Sequence, residues 1–125
     1  MKRVLQVVVA LPGILFLFLG LRWIIDPASA AGALGMTLLD GVGRSTQIGD
    51  LTAFFIVISL SIFAGLITAK RIWFYPPVML LGFAAFFRMI AWLVHDAALA
   101  VPMIVPEILI AALLFFASAH ICDKD

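Results

Sequence analysis

Arg88 and Glu107 are charged residues in two stretches that are otherwise almost wholly apolar, WFYPPVMLLGFAAFFRMIAWLV and LAVPMIVPEILIAALLFFASAHI. A guanidinium offers a rigid fork of N–H donors to a carboxylate, phosphate or carbonyl, and a carboxylate accepts hydrogen bonds or a proton. Other ionisable residues fall into register with them. Arg88, Trp92 and His95 lie at i, i+4 and i+7, one stripe of a helix. Asp50 heads a second stripe through Phe54, Val57, Ser61, Gly65 and Thr68, polar or small at most positions. Arg22 and Asp26 are four apart, and Arg44 stands alone in a Gly-rich segment. Together these residues could form a charged pocket with an aromatic wall, able to meet an anionic or carbonyl head group.

Several chemistries are excluded by residue type and spacing. Cys122 is the single cysteine, so thiol pairs, disulfides and thiolate metal clusters are out of reach. His95 is expected near the outer face of the membrane and His120 near the inner face, which rules out a membrane b-type haem within one chain. There is no HExxH run for a zinc protease. A Ser45–His95–Asp96 or Ser45–His95–Asp50 hydrolase has only residue types in its favour. Small multidrug transporters rely on a carboxylate in the first span, and none is present there. No catalytic residue, cofactor or metal ligand is therefore assigned.

The elements that must position these residues are membrane helices. Of 125 residues, 66% are hydrophobic and only 12% charged, with mean hydropathy +1.25. A soluble domain is about half apolar and a quarter charged, so lipid must be the solvent for most of this surface. A net charge of +1 leaves no field for nucleic acid. A span takes about 20 apolar residues, and four are predicted, at about 4–25, 50–69, 73–94 and 99–121. The fold class is thus all-α, a four-helix membrane bundle in a single domain, with a connection over 26–49.

Local signals refine that layout. The start, Met1-Lys2-Arg3 before a long apolar run, resembles a signal peptide but is longer than one and has no early cleavage site, so a retained first helix is expected. Pro12-Gly13 should bend it. Asp26-Pro27 suits the opening of a short interfacial helix, followed by a turn-rich loop, GVGRSTQIGD, whose last residue caps the second span. Pro76-Pro77 fits a first helical turn. Pro102 and Pro106 leave the start of the fourth span open, at about 99 or about 106. Gly32, Gly35, Gly65 and Ala69 offer close-packing contacts.

Lys2, Arg3, Lys70, Arg71 and Lys124 fall on one side of this layout, with Arg44 and Arg22 on the other. The positive-inside rule then places both termini in the cytoplasm and 26–49 outside. Every candidate residue lies in the outer half: Arg22, Asp26, Arg44, Asp50, Arg88, Trp92, His95 and Glu107. At about 1.5 Å per residue, Arg88 sits roughly 9 Å and Glu107 roughly 12 Å below the outer surface. That depth match predicts an ion pair, either a static device fixing helix register or part of a site.

The runs LGLRWIIDPASAAGALG, GRSTQIGDLTAFF and FFRMIAWLVHD resemble a family of bacterial four-helix inner-membrane proteins of unknown function, similar in layout to DoxX-type bundles. Asp26, Pro27, Gly43, Arg44, Asp50 and Arg88 match its polar pattern. The resemblance implies a bundle in the bacterial inner membrane and no particular activity, and no redox residue here would carry the thiosulfate:quinone chemistry of some DoxX-like proteins. Three functions compete on the residues alone. One is a binding module for a lipid-like or quinone-like small molecule. Another is a structural subunit, packed as a homo-oligomer through Gly65, Ala69, Ala84, Ala85, Ala111 and Ala112 or within a larger complex. The third is a transporter using Asp50, Glu107 and His95. Membrane lipid is the expected surroundings in each case.

Overall fold

The computed structural model describes residues 2–122, and the expectation for Lys124 lies outside them. Among the described residues the chain is all-helical: α1 Lys2–Ile25, α2 Pro27–Ala33, α3 Gly41–Thr68, a 3-10 turn Arg71–Trp73, α4 Tyr75–Val94 and α5 Val101–His120. Four of these stretches are long and apolar enough to cross a membrane, which makes the chain a four-helix bundle of multi-pass type. The short helix after the first span is present as expected.

The bundle is built as two antiparallel pairs. α1 packs on α3 along most of its length, α4 packs on α5, and the two pairs meet along thinner seams. On α1 the buried positions Val9, Pro12, Gly13, Phe16, Gly20 and Trp23 recur every three or four residues and form one stripe facing α3. Two glycines let the backbones approach. A Cβ on Gly13 would sit 3.0 Å from the Phe63 ring, and one on Gly20 would sit 2.7 Å from Ile56 Cδ1. Buried Ser59 donates its hydroxyl to the Gly13 carbonyl at 2.7 Å, an interhelical bond of the kind worth about 0.6–2 kcal/mol in lipid. α1 continues through Pro12 as one helix.

Helix ends follow their local chemistry. Asp26 caps α2, its carboxylate accepting from Ser29 N–H at 3.5 Å, with Pro27 at the first position. α2 stops in a Schellman motif: Met36 N–H donates to Ala31 C=O, Gly35 N–H donates to Gly32 C=O, and Gly35 takes φ +76°. Pro76 and Pro77 occupy the first turn of α4. The 3-10 turn brings the fully buried Phe74 ring onto α3 at Gly65, where any Cβ would lie 2.6 Å from the ring. Gly65 is thus a close-packing position within the chain, as are buried Ala85 and Ala111.

Two boundaries differ from the sequence reading. α5 begins at Val101, with Pro102 in its first turn and Pro106 inside it. α3 begins at Gly41, so GVGRSTQIGD is helix rather than loop, and Asp50 lies inside α3 instead of capping it. The N-cap position belongs to Asp40, whose carboxylate instead pairs with Arg44 at 3.1 Å. Gln47, buried one turn further on, explains why this polar start is ordered. Its amide donates to Thr37 C=O at 3.1 Å and accepts from Leu39 N–H at 2.8 Å, tying the 36–39 connection to the helix. At about 1.5 Å per residue α3 is about 42 Å long against a hydrocarbon core of about 30 Å. Asp50 falls about 27 Å from the Thr68 end, near the far edge of that core, and the turns before it project beyond.

Candidate functional site

Loose contact between the two helix pairs leaves a cavity of about 500 Å³ walled by all four long helices. α1 contributes Leu15, Phe16 and Leu19; α3 contributes Asp50, Leu51, Phe54 and Phe55; α4 contributes Leu81, Ala84 and Arg88; α5 contributes Met103, Pro106, Glu107 and Ile110 among others. Leu34, from the connection after α2, adds to the wall. Its size falls in the range of small-molecule pockets.

The sequence arranges that wall by polarity. Asp50, Arg88 and Glu107 are its ionisable members, and each stands toward the end of the bundle that carries α2 and the α4–α5 turn. Toward the other end the lining is Leu15, Phe16, Phe55, Leu81 and Ile110. Phe16 and Phe55 stack there with ring centroids 5.8 Å apart, and Phe54 meets Phe55 edge-on at 5.3 Å. The result is an apolar pocket with charged groups at one end.

Arg88 and Glu107 meet as the depth arithmetic requires. Arg88 Nε donates to Glu107 Oε1 at 3.0 Å, with side chains 34% and 13% exposed. Arg88 sits about one and two-thirds turns before the end of α4, and Glu107 an equal distance after the start of α5. Helices joined by a short turn put such positions at one height. The contact is a single hydrogen bond, not a bidentate fork, which leaves the guanidinium's terminal groups available.

The other candidate residues are placed elsewhere. Trp92 and His95 are exposed at the end of α4 and do not line the cavity, so its aromatic wall is phenylalanine and not the expected tryptophan. Asp96, beside His95, takes φ +57° in the turn that ends α4. Arg44 is committed to Asp40 and to the Leu39 carbonyl at 2.8 Å on the projecting start of α3. Asp26 caps α2, and Arg22 is half-buried on α1 outside the cavity wall. Of the eight candidates the structure gathers three, Asp50, Arg88 and Glu107.

Gln47 escaped the sequence reading because its segment read as loop. Its signal was present, in a lone amide flanked by Gly, Ser and Thr just before an apolar run. The aromatic floor carried no separable signal, since Phe16, Phe54 and Phe55 are three of eleven phenylalanines in apolar runs. Among the described residues no group of three or more His, Cys, Asp or Glu could hold a metal ion. Comparison with protein-family models, with curated proteins and with solved structures finds no match to this chain.

Proposed function

We propose that the chain is a binding module for one amphiphilic molecule, lipid-like or quinone-like, held in this cavity with its head toward Arg88. The supporting observation is a cavity of about 500 Å³, apolar along its walls, with a guanidinium only partly engaged at one end. An amphiphile matches both features: its chain removes apolar wall from water or loose lipid contact, and its head satisfies donors that are costly to leave unmade in a low-dielectric site. Arg44, engaged outside, takes no part in this reading.

The setting proposed is the bacterial inner membrane, with both termini cytoplasmic and the cavity opening in the outer half. The Lys/Arg distribution supports that orientation. A cysteine placed at Ser45 is then expected to react with an impermeant maleimide in intact cells, and one at position 2 is not. The reverse pattern would turn the cavity to the cytoplasmic side.

A structural role in a homo-oligomer is the second reading, supported by α4. Its outward face carries Met79, Phe83 and Phe86 around Gly82, where a Cβ would meet nothing within 4 Å. Native mass spectrometry from mild detergent separates the two readings. Binding predicts a co-purified molecule on the wild-type chain and its loss from Ala84→Phe, which fills the cavity. Bare chain in both proteins, in a fixed multimer, supports the structural role instead.

A further inference from the structure

The cavity has a charge balance that limits what its occupant's head can be. Asp50, Arg88 and Glu107 are the ionisable residues of its wall, two acids and one base, so its formal charge is negative by one. Arg88 already directs Nε at Glu107 Oε1, 3.0 Å away. Its two terminal amino groups, the second oxygen of Glu107 and the carboxylate of Asp50 make no hydrogen bond to another described residue. A head entering this end therefore meets donors and acceptors without protein partners, those of Asp50 on the exposed part of the wall. An anionic head would find its one cation neutralised by Glu107, 13% exposed, and a second carboxylate, the exposed Asp50, at the same end of the wall, an arrangement of like charges that disfavours binding. A cationic head lacking N–H or O–H would satisfy the acids but leave the Arg88 amino groups unmet.

We infer that the cavity selects an uncharged head carrying both hydroxyl donors and a carbonyl or ether acceptor, on a single apolar chain, and rejects an anionic head on the same chain. The acceptor meets the Arg88 amino groups, and the hydroxyls donate to Glu107 Oε2 and Asp50. The inference rests on the binding reading above and narrows it to a head-group class.

The test uses three photoreactive probes with one diazirine-bearing acyl or alkyl chain: a monoacylglycerol, an alkyl sulfate and an alkyl trimethylammonium. The full chain is reconstituted in phosphatidylcholine nanodiscs, and cross-links are mapped by peptide mass spectrometry. The monoacylglycerol is expected to label the peptides holding Leu19, Phe54 and Met103 at least about tenfold more than the sulfate at equal membrane content. In Asp50→Asn, which removes one acid without changing size, that ratio is expected to fall severalfold. Equal or stronger cavity labelling by the sulfate or the ammonium in the wild type overturns the head-group inference while leaving amphiphile binding standing. Labelling of lipid-facing residues alone, with none in the cavity by any probe, overturns the binding reading and the inference with it.

Discussion

Arg88→Met is expected to destabilise the protein by about 2–3 kcal/mol, because it leaves the Glu107 carboxylate, 13% exposed, without its cation. Breaking a fully buried pair costs about 3–5 kcal/mol; the lower figure allows for Arg88 being 34% exposed and the contact being one hydrogen bond. Glu107→Leu is expected to cost less, about 1–2 kcal/mol, since the longer arginine can carry its charge toward the membrane surface. The double substitution Arg88→Met with Glu107→Leu should recover most of the loss, as no uncompensated charge remains. Unfolding in mixed micelles over a denaturant series measures all four proteins. Wild-type stability in both single variants would show that the pair contributes nothing to the packing of α4 on α5. Ligand co-purification adds a separate readout: the double variant is expected to be stable and empty.

Gly65→Val is expected to cost a further about 2–3 kcal/mol by a different route. Its Cβ would stand 2.6, 2.8 and 2.9 Å from three atoms of the Phe74 ring, which is fully buried. A buried ring at the turn between α3 and α4 cannot rotate clear, so the helices must separate. Gly20→Val meets a softer neighbour, since the nearest atom is the end of the Ile56 side chain at 2.7 Å, and about 1 kcal/mol is expected there. The ordering of the two losses is the informative result. Pairing Gly65→Val with Phe74→Leu should restore part of the stability lost in Gly65→Val by removing the ring. No recovery would place the cost elsewhere than in this contact.

The four spans were legible because lipid imposes the coarsest of rules, about 20 apolar residues per crossing. The Arg88–Glu107 contact was legible for a related reason: a short turn between two helices fixes relative height, and two charges at one depth have strong cause to meet. The start of α3 was not legible. GVGRSTQIGD carries three glycines and the polar residues of a turn, yet it is helical in the structure, where Arg44 reaches back to Asp40 and Gln47 holds the preceding connection. The Gln47 bonds reach eight and ten residues back to an irregular connection and leave no periodic trace, and the Arg44–Asp40 pair is one i,i+4 contact among residues that otherwise read as a turn. The stripe Arg88–Trp92–His95 failed differently. Helical spacing gives the direction shared by three side chains but not the height to which neighbouring helices cover them, and cover ends between Arg88 and Trp92. The oligomer expectation lost part of its footing in the same way, because Gly65, Ala85 and Ala111 are spent on contacts inside the chain.

The cavity itself was foreseen only as a polar-topped space between facing stripes, and whether it holds an amphiphile decides between the two proposed readings. A density map of the full chain purified in mild detergent, at a resolution that shows side chains, tests this most directly. The expected result is ordered non-protein density between α1, α3, α4 and α5, its head within hydrogen-bond distance of the Arg88 guanidinium and its chain along Phe16, Phe55 and Ile110. A bundle closed around Phe16 and Phe55, with Arg88 and Glu107 in a dry bidentate pair and no space between the helix pairs, would contradict it.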